Sequence, residues 1–216
     1  MPLLDAARAE LVDACAEVQR RGLVGPLASG NASVSVDGQL LVTASATTFA
    51  ETTPDQLVLV DATSGDIAPS SAHSPTTELA LHLAAHRVAA SAVRVVLHLH
   101  APWMVAASCL RVDELPLLHY HQALLGSCAT PVVPYSTPGS PELADAVGDA
   151  LGSGAQAVLM ANHGAVVVGV SGNDAVELAE VLEDICRLTV LTSSRARELT
   201  DADLEAARAL FGAYGR

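Results

Sequence analysis

The chain has 216 residues, half of them apolar and only 3% aromatic, which is enough to bury a full core. Eleven Lys+Arg against 24 Asp+Glu give a net charge of −13 with no basic stripe to follow a phosphate backbone, so nucleic acid is excluded as an expected partner. No uninterrupted apolar run is long enough to span a membrane, and Asp5, Arg8 and Glu10 leave no apolar signal core, which predicts a cytoplasmic protein with no membrane partner. Cys15, Cys109, Cys128 and Cys186 are scattered without C-x-x-C spacing, and free thiols in a reducing compartment are expected.

Apolar positions recur at helical spacing over residues 3–21, and Gly22 is a natural stop. A loop of small residues from Leu23 to Asn31 follows. Two alternating segments, 32–36 and 39–43, flank Asp37-Gly38 and predict a β-hairpin. Further strands are expected at 57–60 and 66–68, joined by a turn at Thr63-Ser64-Gly65. After the 69–75 loop, Thr76 or Thr77 can cap a helix that runs to about Val88, with Glu78 in its first turn. The valine-rich run Val93-Arg94-Val95-Val96 leads into Leu97-His98-Leu99-His100 and reads as a buried strand over 94–100. Pro102 then opens a helix. Helical spacing is possible from His119 to an end at Gly126, although 115–126 is ambiguous. A short strand at 131–135, a helix at 140–151, strands at 157–160 and 165–168, and helices at 173–194 and 201–212 complete the chain. With no repeat, linker or low-complexity segment, one domain over 1–216 is expected. Hairpins interleave with helices without a strict β-α-β rhythm, which predicts an α/β fold with a largely antiparallel or mixed sheet covered by helices.

Residues two apart on a strand share a face, so His98 and His100 aim at one point while Leu97 and Leu99 pack behind. This is half of a zinc site or a pair of satisfied buried histidines. His163, in the Asn162-His163-Gly164 turn between two apolar strands, is the candidate third ligand, although a turn histidine is often just solvated. His82 and His86 share a helix face at i, i+4 and could bind metal, but they lack a strand partner in the sequence pattern. His73, His119 and His121 read as loop or pocket residues. Glu78 either complements the dipole of its helix or acts as a base beside an anion nest made by the Thr76 and Thr77 hydroxyls and the first backbone N–H groups. Ser29-Gly30-Asn31 is a second patch where backbone can approach a ligand.

Taken in order, these pieces resemble the class II aldolase family, and its fuculose-1-phosphate aldolase branch in particular. The resemblance rests on Ser29-Gly30-Asn31-Ala32-Ser33, Pro75-Thr76-Thr77-Glu78, the H-x-H-x-P strand end from His98 to Pro102, and Asn162-His163-Gly164. Pro116-Leu117-Leu118-His119-Tyr120 and Phe211-Gly212-Ala213-Tyr214-Gly215 resemble segments that carry tyrosines in the aldolase branch. The likeness implies a three-layer α-β-α fold and a zinc-dependent, reversible cleavage of a small ketose 1-phosphate into dihydroxyacetone phosphate and an aldehyde. It assigns Zn²⁺, one per subunit, to His98, His100 and His163, with Glu78 near or on the metal and moving the proton at the nucleophilic carbon. Tyr120 of a neighbouring subunit would exchange a proton with the aldehyde oxygen, and Tyr214 with Phe211 would close over the aldehyde end. Gly30, Asn31, Ser45, Ala46, Thr76 and Thr77 would bind the sugar phosphate, in a homotetramer with sites between subunits.

The phosphate end departs from the family pattern. Thr43-Ala44-Ser45-Ala46 stands where a T-P-[ST]-G element is usual, and alanine resists the positive φ that glycine accepts. No Lys or Arg lies in these segments. An epimerase, dehydratase or decarboxylase with the same zinc chemistry is therefore an alternative, and a non-catalytic binding domain a more distant one.

Overall fold

The computed structural model describes residues 2–27, 29–88, 94–126, 129–192 and 195–213. Val93, Cys128, Tyr214 and Gly215 lie outside them; Cys15, Cys109 and Cys186 are free thiols.

Helix α1 (Pro2–Arg20) buries Ala7, Leu11, Ala14, Cys15 and Val18, the stripe its spacing predicts, and Gly22 follows at φ 70°. Strands β1 (Gly30–Val36) and β2 (Gln39–Val42) form the expected hairpin. Asp37 and Gly38 both take left-handed φ values, 48° and 76°, which gives the turn the twist of the strands it joins. Strand β3 (Val58–Asp61) pairs with β2, but 66–68 is no strand. Asp61 Oδ1 accepts the N–H groups of Thr63 and Ser64, closing the turn, and the return arm makes the single bridge Val60↔Ile67, because the Leu59 N–H that would extend the ladder donates instead to Ser71 Oγ at 3.1 Å.

Helix α2 (Leu79–Val88) starts just after Glu78, and β4 (Val95–Leu99) is buried throughout. Helix α3 (Pro102–Ser108) opens on its proline. The ambiguous segment becomes a 3-10 helix over Tyr120–Leu125, ended by Gly126 at φ 92°. Strand β5 (Val132–Val133), helix α4 (Pro141–Gly152), strands β6 (Ala157–Met160) and β7 (Gly164–Gly169), and helices α5 (Gly172–Thr192) and α6 (Asp201–Ala213) follow.

The seven strands form one sheet in the order β3-β2-β1-β4-β7-β6-β5, antiparallel except for the β5–β6 pair. Its two faces carry separate cores, as strand periodicity requires. On one face Val95, Leu97 and Leu99 pack with Ala32, Val34 and Val167 beneath α1, α3 and α5. On the other, Val96, Val158, Val166 and Val168 meet Leu81 and Ala85 of α2 and Leu143, Val147 and Leu151 of α4. The layers are α-β-α. His98 follows the parity of Val96 and faces the α2 side from the middle strand of the sheet. Among the described residues, no helix is long and apolar enough to cross a membrane.

Candidate active site

Strand register brings the pieces together. His98 on β4 pairs with Asn31 of β1 on one side and Val166 of β7 on the other. His100 lies one residue beyond the strand end. The β6–β7 turn swings back to meet it, with Asn162 at φ 56° and His163 N–H donating to Met160 O at 3.0 Å. Gly164 permits this approach: a Cβ there would lie 2.4 Å from Leu99 O and 2.7 Å from His100 Cδ2.

The three imidazoles converge with ring centroids 4.6, 4.9 and 5.1 Å apart. One ligand nitrogen from each lies within 4.8 Å of the others. His98 Nδ1–H donates to Ala165 O at 3.0 Å, leaving its lone pair on Nε2. His100 Nδ1 meets Ser29 Oγ at 2.7 Å, which also directs Nε2 inward. The two Nε2 atoms stand 2.9 Å apart, and Glu78 Oε2 lies 3.0 Å from His98 Nε2, with Oε1 3.5 Å from His163 Nε2. Acceptors held this close repel one another unless a proton or a cation lies between them. Glu78 Oε1 is buried with no hydrogen-bond partner among the described residues. Three imidazoles and a carboxylate fit a divalent transition-metal ion, so these residues could hold one.

The protonation states agree. Burial, with the nearby His98 and His163, pushes His100 down to about 4, and burial likewise lowers His163, so both imidazoles are neutral and ligand-competent at neutral pH. Burial alone would raise Glu78. A hydrogen held between His98 Nε2 and Glu78 Oε2 across their 3.0 Å contact, followed by the Asn31 amide, outweighs it and holds the carboxyl well below the usual carboxylate range.

Glu78 stands where two loops are tied. Thr76 N–H donates to Thr43 O at 3.1 Å, Ser45 N–H to Ser74 O at 3.0 Å, and Thr76 Oγ1 accepts from Glu78 N–H at 3.2 Å. Beside this lies a cavity of about 320 Å³ lined by Gly30, Asn31, Ser45, Ala46, Thr76, Thr77, Glu78 and His100. Every residue expected from the sequence at the phosphate end therefore borders one space. Leu27, Thr47 and Thr48 border it too, without a sequence signal of their own, and none of the described lining residues is Lys or Arg. Ala46 adopts the left-handed conformation, φ 59°, despite its Cβ.

Other expectations fall elsewhere. Tyr120 and Phe211 do not line this cavity. They stack on each other, ring centroids 5.8 Å apart and planes 16° from parallel, where the 3-10 helix meets α6. Tyr214 is outside the described residues. His82 and His86 do have a strand partner: both reach Ser33 Oγ of β1, at 2.8 and 2.9 Å. Sequence reasoning missed it because a cross-element hydrogen bond leaves no periodic trace.

Comparison with known proteins agrees with this geometry. Residues 9–190 match the family described as Class II Aldolase and Adducin N-terminal domain. The chain is 30% identical over 209 residues to L-fuculose phosphate aldolase of Escherichia coli strain K12, covering 95% of this chain and 94% of that one. It is 33% identical over 183 residues to 3-oxo-tetronate 4-phosphate decarboxylase of the same strain, covering 82% and 83%. The crystal structure of YgbL, a putative aldolase/epimerase/decarboxylase from Escherichia coli, superposes with a TM-score of 0.83 at 29% identity over 95% of this chain and 99% of that one. A matched fold, register and ordered motif set over nearly the whole length leave one conclusion: the chain belongs to the class II aldolase and adducin N-terminal domain family.

Proposed function

We propose that this chain, acting as one catalytic unit over 1–216, is a zinc-dependent lyase that breaks a carbon–carbon bond next to the carbonyl of a small sugar phosphate. The convergence of His98, His100 and His163 with a Glu78 oxygen that has no hydrogen bond among the described residues carries this reading. His98, His100 and His163 would hold the ion, with Glu78 at its edge. When bound, the ion supplies Lewis acidity that stabilises negative charge developing on substrate oxygen.

The chain's own residues do the rest. Glu78, already ionised, takes or returns the proton at the carbon from which the bond is broken. Gly30 and Asn31 bring a backbone and an amide edge against the substrate. Ser45, Ala46, Thr76 and Thr77 offer neutral donors to the phosphate. In the aldolase reading, Tyr120 of a second subunit, with Tyr214 and Phe211, completes the aldehyde end in a cytoplasmic homotetramer. The absence of Tyr120 from its own chain's cavity supports a site shared between subunits.

The decarboxylase relative supports a second reading. Loss of carbon dioxide from a 3-oxo acid and loss of an aldehyde from a ketose 1-phosphate both leave an enediolate of a three-carbon keto phosphate. Dihydroxyacetone phosphate in D₂O with zinc-loaded protein tests the shared step: deuterium should enter the hydroxymethyl carbon, and a chelator should stop it. No exchange would overturn both readings. Aldehyde release from a panel of ketose 1-phosphates, against carbon dioxide release from a 3-oxo-tetronate 4-phosphate, then separates them.

A further inference from the structure

A buried chain of hydrogen bonds runs away from Glu78 beneath the sheet. Asn31 Nδ2 lies 3.0 Å from Glu78 Oε2, and Asn31 Oδ1 lies 2.6 Å from His82 Nε2. His82 Nδ1 lies 2.8 Å from Ser33 Oγ, which lies 2.9 Å from His86 Nε2. His82 is fully buried, and His86 Nδ1 ends the chain without a partner among the described residues.

The direction of every bond follows from the carboxylate. An ionised carboxylate only accepts, so Asn31 turns its NH₂ toward Glu78 and its oxygen toward His82. An amide oxygen only accepts, so His82 carries its hydrogen on Nε2 and a lone pair on Nδ1. Ser33 O–H donates to that lone pair, and its oxygen accepts from His86 Nε2–H. Four bonds are thus poled one way, toward the carboxylate. The opposite polarity would set the Asn31 oxygen against Glu78, two acceptors at 3.0 Å. An apolar pair on α2 could fill the same space without burying four ring nitrogens. What the imidazoles add is orientation.

We propose that His82, set by Ser33 and His86, is a positioning residue: it locks the Asn31 amide and through it fixes the Glu78 carboxylate toward substrate. This rests on the reading of Glu78 as the proton-transfer group.

Two substitutions separate orientation from packing. His82→Asn keeps a polar atom near the ring Nδ1 position and removes the donor to Asn31; His82→Gln places an amide N–H near Nε2. In zinc-loaded protein, His82→Asn should slow deuterium exchange into dihydroxyacetone phosphate by about 10–100-fold in kcat, with metal content retained and KM little changed. His82→Gln should recover most of it. A readout independent of turnover is NMR: histidine ¹⁵N spectra should show His82 as the Nε2–H tautomer, and the Glu78 carboxyl ¹³C signal should move in His82→Asn and return in His82→Gln. If wild-type protein exchanges no deuterium, the lyase reading fails and the carboxyl signal alone decides the positioning. An Nδ1–H tautomer, or equal behaviour of the Asn and Gln variants, overturns it. Should His82→Asn not fold, Ser33→Ala against Ser33→Thr asks the same one link further out. A shifted carboxyl signal only in the alanine variant supports the chain, and an unshifted one overturns it.

Discussion

Glu78 and Gly164 show how much of the site depends on single atoms. Replacing Glu78 by Gln keeps the shape of the side chain but removes the negative charge proposed to accept a proton. We expect the variant to keep its metal on three imidazoles and to lose at least about 100-fold in deuterium exchange into dihydroxyacetone phosphate, the range a positioned base contributes. Metal analysis alongside turnover checks both halves, and wild-type rates would remove Glu78 from proton transfer. Gly164→Ala acts differently. Its Cβ would meet a backbone oxygen and the His100 ring, neither of which is free to give way. We expect a loss of roughly 1–3 kcal/mol in urea unfolding together with weaker zinc binding, because relief of the clash displaces His100. The residues that touch were legible in the sequence where a local rule governs them: H-x-H on a strand, glutamate at a helix start, Asn-His-Gly in a turn. Ala46 was legible as a conflict. It resists positive φ yet adopts it, held there while the Ser45–Ser74 and Thr76–Thr43 bonds tie the two loops. Thr47 and Thr48 were not legible, and Ser33 was legible only as the end of a motif and not as the partner of His82 and His86, because only distant contacts give them meaning.

Helix α3 illustrates how an element positions a residue just outside itself. It is seven residues long, starts two positions after His100, and has no side-chain cap of its own at Ala101. Glu183 of α5 supplies one, accepting from Trp103 N–H at 2.9 Å and Met104 N–H at 2.8 Å. Burial raises the Glu183 pKa despite those two donors, so the helix amides are what make a buried carboxyl tolerable. Glu183→Ala should cost about 0.5–2 kcal/mol in denaturant unfolding and loosen His100 enough to weaken metal binding. Loss of stability with unaltered zinc affinity would show that α3 does not steer His100. The helices and the hairpin could be read from sequence because their periodicity and turn residues are local. The 66–68 strand was overread, since alternation says nothing about whether a partner edge continues. The 3-10 form of Tyr120–Leu125 was hidden for a related reason: short helices are settled by what packs on them, here α6.

The assembled molecule carries its buried histidines as a pH liability. Burial, with repulsion from His86 and His98, pushes His82 down to about 3, and burial pushes His86 down to about 4. As pH falls, the unfolded chain therefore takes up these protons first. Their contribution to stability is complete above about 6.5 and is lost as pH falls toward 4 for His86 and 3 for His82, at roughly 1.4 kcal/mol per pH unit for each. Metal-free protein should lose stability across this window, and His86→Phe should flatten the loss by one proton. An unchanged slope in urea unfolding at stepped pH would contradict the assignment. Topology at this scale was legible only as a class. Sheet order, and the fact that β4 is its middle strand, come from pairings that no local pattern encodes.

In the reading proposed above, phosphate meets the hydroxyls of Ser45, Thr76 and Thr77 inside a protein of net charge −13, which would reverse the usual ionic-strength behaviour of phosphate recognition. Neutral contacts have little to lose to added salt, while the long-range field that repels an incoming dianion is screened by it. Sodium chloride should therefore hasten capture of a phosphorylated substrate and lower its apparent KM between about 10 and 150 mM, where a lysine-lined pocket would show the opposite trend.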